Sequence, residues 1–239
     1  MKAVWIIAKQ ELKSYFDSLM AYILLVLFLG FSGFFTWIYG NDIFFVQQAS
    51  LRVFFQVAYL TLFFSIPMLT MRSIAEETRS GTIELLLTKP ISHEQVVWGK
   101  YLATLMLVII ALALTIPYYI TVAYLGNVDH GAIISGYFGL LLMSSAYIGI
   151  GLFASSLTNN QIVSSLLALI IGVFFHIIAG LLASNFSGIL GQIFYYLSMN
   201  THFDSITRGV IDTKDLIYFV SITYAGVFLA EKTLQSKTS

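Results

Sequence analysis

The residues that could do covalent chemistry in this chain are few. The adjacent carboxylates Glu76 and Glu77, the nearby Arg79, and His176 inside an apolar stretch are what an intramembrane hydrolase would draw on. Such an enzyme needs E-E-x-x-x-R together with F-x-x-x-H and H-x-x-x-N, because i, i+4 spacing puts the paired groups on one helix face. Here Arg79 follows the Glu pair after a single residue, and Gly81 occupies the place the arginine would need. Gly172 and Gly180 stand four residues before and after His176. Both patterns fail, and the Glu pair falls at the end of one apolar stretch while His176 lies within another. His176 therefore reads as a packed, hydrogen-bonded histidine, and His93 and His130 as loop residues with no ligand set beside them. The absence of cysteine excludes disulfides, thiol nucleophiles, Cys-zinc sites and iron–sulfur clusters. There is no G-x-x-x-x-G-K-[ST] phosphate loop, so ATP hydrolysis by that machinery would need another chain.

The elements that must position these residues are set by composition. Of 239 residues, 58% are apolar and only 10% charged, against a charged share of about 25% in soluble domains. Lys+Arg and Asp+Glu are both 12, which removes a basic protein built to coat nucleic acid. Charge-free windows run over 19–39, 53–71, 101–125, 133–155, 162–183 and 216–230, the last borrowing flanking residues to make a span of 216–232. A hydrocarbon core of about 30 Å takes about 20 helical residues but only about 10 in a tilted strand. The windows are continuous and near the longer length, so the expected class is all-α: a polytopic membrane protein of six transmembrane helices in one domain, 1–239. No Asp, Glu, Lys or Arg falls near the middle of a window, unlike the relay sites of ion-coupled carriers.

Six spans put both termini on one side. Lys2, Lys9, Lys13, Arg72, Arg79, Lys89, Lys100, Lys232 and Lys237 fall on that side, against Arg52, Arg208 and Lys214 on the other. The positive-inside rule then makes both termini cytoplasmic. Lys9, Glu11, Lys13 and Asp17 break up any signal-peptide core. Residues 1–18 carry a helical stripe of Trp5, Ala8, Leu12 and Tyr15 that continues to Leu19. This pattern fits a helix lying in the inner interface, or the amphipathic start of one long first helix.

The charge-rich stretch is 72–100. It reads as the second span running on to about Arg79, a stop at Gly81, a short helix from Thr82 to Thr88 ended by Pro90, and a Ser92/Gln95 capping box opening the third span. The short helix carries Ile83, Leu85, Leu86 and Leu87 among charges. Exposed, this would be a sticky patch, so it must bury itself on the protein's own inner surface or in the groove of a cytosolic partner. Pro67 and Pro117 permit kinks in spans two and three. Gly136, Gly139, Gly149, Gly151, Gly172 and Gly180 permit close helix approach. Residues 184–215 hold an apolar run, 189–197, too short to cross, which suggests a re-entrant or interfacial segment.

The run Glu76-Glu77-Thr78-Arg79-Ser80-Gly81-Thr82-Ile83-Glu84-Leu85-Leu86-Leu87-Thr88-Lys89-Pro90 resembles the signature of ABC-2 type transporter permeases. So do Tyr196-Leu197-Ser198, His202-Phe203-Asp204-Ser205, Arg208-Gly209-Val210-Ile211-Asp212 and Asp215-Leu216-Ile217-Tyr218. Termini and chain size resemble the GldF-type permeases associated with gliding motility in Bacteroidetes. The resemblance implies that 72–100 is a coupling region docking on a nucleotide-binding ATPase subunit, which would bind ATP and Mg while this chain holds no cofactor. It also implies two short outer helices in 184–215, with His202, Phe203, Asp204, Arg208, Gly209 and Asp212 at the outer end of a path. Further implied partners are a second permease subunit, identical or homologous, and an accessory gliding-motility membrane subunit. The implied location is the cytoplasmic (inner) membrane. The other function open at this point is a membrane anchor or mechanotransmission subunit of an ATPase-driven assembly that moves no solute.

Overall fold

The computed structural model describes residues 2–39, 50–88 and 90–238. All regular structure among them is helical, with no strand. The helices are α1 (Lys2–Asp17), α2 (Met20–Trp37), α3 (Arg52–Thr70), α4 (Ala75–Ser80), α5 (Thr82–Leu87), α6 (His93–Ala113) and α7 (Ile116–Leu125). They continue with α8 (His130–Leu157), α9 (Gln161–Val173), a π-helical turn Phe174–Ile178, α10 (Ala179–Asn185), α11 (Gly188–Leu197), α12 (Met199–Thr207) and α13 (Thr213–Thr238). Six continuous stretches among the described residues are long and apolar enough to cross a membrane: Met20–Trp37, Arg52–Ser80, His93–Leu125, His130–Leu157, Gln161–Asn185 and Thr213–Lys237. This is a polytopic membrane protein.

The six run alternately up and down, so the bundle has a charged end holding α1, α4, α5 and the last turns of α13, and an opposite end holding the α7–α8 loop, α11 and α12. The central helix is α8, which packs against α3, α6, α9, α12 and α13. Its tightest approach is to α13. A Cβ on Gly226 would fall 2.4 Å from the carbonyl carbon of Gly149, and one on Gly149 would fall 2.9 Å from the Thr223 oxygen. Two glycines thus face each other where any side chain would part the helices, which is the use small residues have in membrane bundles. Gly226 was not singled out from the sequence, because its partner is in another helix.

Local signals explain the breaks. At Ser92 the capping box is complete: its side chain accepts from Gln95 N and the Gln95 side chain accepts from Ser92 N. The third span is interrupted at Leu114–Thr115 and restarts with Pro117 in the first turn of α7, where its missing N–H costs nothing. Span two departs from the expected single helix to about Arg79. It stops at Thr70, turns through 71–74, and resumes as α4. The reason lies in α8. Ser155 Oγ accepts from both Ile74 N (3.1 Å) and Ala75 N (3.0 Å) and donates to Met71 O (3.2 Å). One buried hydroxyl thus substitutes for ladder bonds that the turn gives up. At the other junction Leu19 has φ +63°, so the chain turns between α1 and α2 and Leu19 leaves the α1 stripe.

Candidate functional site

The charged end is built around a buried lysine. Lys100, in the second turn of α6, is 1% exposed, and its Nζ donates to Glu77 Oε1 at 2.6 Å and Glu11 Oε1 at 3.4 Å. These carboxylates come from α4 and α1, so one ammonium ties three helices. One turn deeper, Tyr15 of α1 meets Thr104 Oγ1 (3.0 Å) and Ser73 Oγ (3.3 Å). Thr104 donates its proton to Lys100 O, so Tyr15 donates to Thr104 and Ser73 donates to Tyr15. Burial, the largest influence, holds the Tyr15 phenol above its ordinary range. Close approach of α1 to α6 needs Gly99, where a Cβ would lie 2.6 Å from Ile7 Cγ2.

This framework carries α4 and α5. Gly81 joins them with φ +71° and nothing within 4 Å of a built Cβ, so the demand there is on the backbone alone. Of the predicted coupling residues, Ile83 points inward and joins the chain's own core, Leu86 is half-buried, and Thr82 and Glu84 are exposed. On α4, Glu76 and Arg79 are exposed and Glu77 turns in to Lys100. Glu76 also lies 3.8 Å from Arg72. The side chains of Leu85 and Leu87 and all of Lys89 lie outside the described residues. Residues 72–88 therefore sit with one face on the bundle and a charged face turned away from it.

At the opposite end α11 and α12 are two short helices. His202 is buried between Asp215 Oδ1 (2.6 Å from Nδ1) and Tyr196 O (3.0 Å from Nε2), and stacks on Tyr218 at 4.0 Å. Both ring nitrogens face oxygen atoms of neighbouring groups, so the ring is held at both ends. Tyr218 donates to Leu197 O at 2.5 Å, so α13 is bolted to the α11–α12 turn. Phe203 is buried and stacks on Tyr59 at 5.0 Å. Asp204 and Arg208 are exposed and line two clefts flanking α12. Partial desolvation at the cleft wall raises the Asp204 carboxyl above its usual range, opposed by Arg208 and Arg52. Gly209 has φ +91° and ends α12, and Asp212 pairs with Lys214 at 2.9 Å. The predicted outer residues are thus together, but divided: His202 and Phe203 hold the helices, and Asp204 and Arg208 face open space. Tyr59, Asn200, Ser198 and Asp215 belong with them and were missed as site residues. Nothing in the sequence singles out Asp215 as the partner of His202, since Asp204 and Asp212 lie nearer to it along the chain.

His176 sits past the middle of its span, in the π-helical turn. It is stacked against Tyr59 at 4.0 Å and Phe63 at 4.9 Å, with Nδ1 2.6 Å from Tyr147 OH. No group of three or more metal-ligating side chains occurs among the described residues.

The arrangement is a helical bundle with a charged platform at one end. Residues 39–230 match the family described as ABC-2 family transporter protein. The chain belongs to the ABC-2 transporter family. A comparison with curated proteins returned no match. An ABC-2 chain is the membrane permease subunit of an ABC transporter, generally non-catalytic, working with an ATPase subunit.

Proposed function

We propose that α4 and α5, with the charged face between Arg72 and Thr88, are the coupling region on which the ATPase subunit docks, at the cytoplasmic face of the inner membrane. The observation that carries this reading is the double attachment of the segment. Ile83, Glu77–Lys100 and Ser155 fix it to α1, α6 and α8, while Glu76, Arg79 and Glu84 stay outward. A segment held this firmly moves the bundle when it is pushed. Closure of the ATPase subunits on ATP and Mg then reaches the spans as a displacement of α4–α5, and cargo crosses as the spans rearrange. ATPase sites of this class form between two nucleotide-binding subunits, and each permease chain offers one docking segment. Two permease subunits, identical or homologous, therefore make the complex. The cytoplasmic placement of both termini is supported by the Lys and Arg bias toward the charged end. The link to gliding motility, with an accessory membrane subunit, is supported by the resemblance of termini and size to GldF-type permeases.

The test is copurification of the ATPase from mild detergent. Leu86 is half-buried on its own chain, and covering the rest is worth about 1 kcal/mol. Leu86→Asp forfeits this and sets a carboxylate in the contact, so it cuts recovery of the ATPase several-fold. Glu84→Ala leaves recovery near wild type, since an exposed ion pair contributes about 0–1 kcal/mol. Wild-type recovery with Leu86→Asp, at equal expression, would remove α5 from the docking surface. Solute flux in vesicles, measured beside ATPase stimulation, separates a transporter from a force-transmitting anchor.

A further inference from the structure

One cleft at the opposite end is lined by polar groups that the bundle leaves unsatisfied. It has a volume of about 670 Å³ and lies between α3, the π-helical turn, α10, α11 and α12, within the range of about 300–1,000 Å³ typical of small-molecule sites. Four groups define its chemistry. Ser198 is fully buried, lines the cleft, and its Oγ has no partner among the described residues. His176 is 7% exposed and also lines it. The Tyr147 hydroxyl holds Nδ1 of His176 at 2.6 Å, and the second ring nitrogen, Nε2, has no partner among the described residues. Asn200 accepts from Tyr59 OH through Oδ1 (3.1 Å), which leaves its amide hydrogens free. The Arg208 guanidinium has no carboxylate within salt-bridge reach among the described residues. Asp204 is the one carboxylate among the lining residues, beside the Arg208 guanidinium, the Asn200 amide and hydroxyls that both donate and accept. The apolar rim is exposed: Ile177 and Leu181, four residues apart on one helix face, are 46% and 58% exposed. The cleft thus combines polar groups along one wall with exposed aliphatic surface at its rim.

We propose that this cleft holds the head of an amphipathic cargo, rich in acceptor oxygens as in a polyol or phosphodiester, with its chain lying on Ile177 and Leu181. The Arg208 guanidinium and the free Asn200 amide favour oxygen-rich heads, and the buried, unpaired Ser198 hydroxyl penalises a ligand that offers it no hydrogen bond. The π-helical turn serves the same site: it adds one residue to the span and brings His176 to the cleft, a use π-turns commonly have. The inference rests on the permease reading for the word cargo, but not for the binding itself.

The experiment uses the full chain in phosphatidylcholine nanodiscs with two diazirine-bearing probes, a phosphatidylglycerol analogue and a neutral dihexosyl-lipid analogue. After illumination, labelled peptides are mapped by mass spectrometry. Label from at least one probe is expected in the peptides containing His176–Leu181 and Tyr195–Arg208, and the probe that competes better tells phosphodiester from polyol. Arg208→Gln lowers that label about tenfold, the effect of losing one charge-assisted hydrogen bond. Gly180→Leu, which fills the cleft from a wall where a Cβ already lies 3.3 Å from Ser198 Oγ, lowers it as much without removing any polar group. Both variants are first shown to match wild type in helicity and elution volume. Equal labelling of wild type and both variants, or label spread evenly over the lipid-facing helices, overturns the proposal. Because no ATPase is present, failure here is distinct from failure of the docking reading, which copurification tests separately.

Discussion

Lys100 is the residue on which most of the charged end depends. A lone ammonium at 1% exposure would be costly, and here Glu77 at 2.6 Å and Glu11 at 3.4 Å offset the desolvation. Breaking such a cluster by removing one member costs more than replacing the whole, because the half-buried carboxylates are left without their cation. Lys100→Met should therefore destabilise the detergent-solubilised chain by about 3–5 kcal/mol. The triple variant Lys100→Met, Glu77→Gln, Glu11→Gln should recover a large part of that loss. Thermal unfolding followed by size-exclusion fluorescence reads both. If the triple variant were as unstable as the single one, the cluster would matter for packing volume and not for charge.

At the scale of elements, the decisive features are the two joints that aim α4 and α5. Gly81 needs a left-handed backbone and has open space around it. Gly81→Asn should be nearly silent, while Gly81→Val, β-branched and unsuited to positive φ, should cost at least about 1–2 kcal/mol and misdirect α5. ATPase copurification and limited proteolysis within 72–88 would show the difference. Ser155 acts from across the bundle. Ser155→Ala strands the Ile74 and Ala75 N–H groups, a loss of about 1–3 kcal/mol for buried donors. It should raise hydrogen exchange at 71–76 while leaving the core of α8 protected. Unchanged exchange there would mean that the turn at 71–74 holds without its clamp.

For the whole molecule, the prediction concerns orientation. The natively cysteine-free chain accepts single probes without background. With Thr88→Cys and Lys214→Cys, both exposed and at opposite ends of the bundle, a membrane-impermeant maleimide should modify only the second in intact cells. Modification of position 88 from outside would invert the topology and move the docking surface to the wrong side for a cytosolic ATPase.

Much of this architecture follows from local pattern. Charge-free windows of about twenty residues can satisfy their backbone in lipid only as helices, so an all-helical bundle with six membrane-length stretches needs no tertiary information. The Ser92–Gln95 box and the Gly81 turn are equally local, since their partners lie within four residues. What only the folded bundle decided is which side each short helix shows and which distant groups meet. From pattern, Ile83 was as suited to a partner's groove as to the chain's own core; it joins the core because α4 is pinned by Ser155 and Lys100. Lys100 counted as one more inner positive charge until folding set it between carboxylates 23 and 89 positions away. The same holds for Gly149 against Gly226, His202 against Asp215, and the donors around Ser198. Periodicity reports how one helix is amphipathic. The rotation of each helix about its own axis, which chooses the partners of a buried charge or an empty hydroxyl, is set by the packing of all the others.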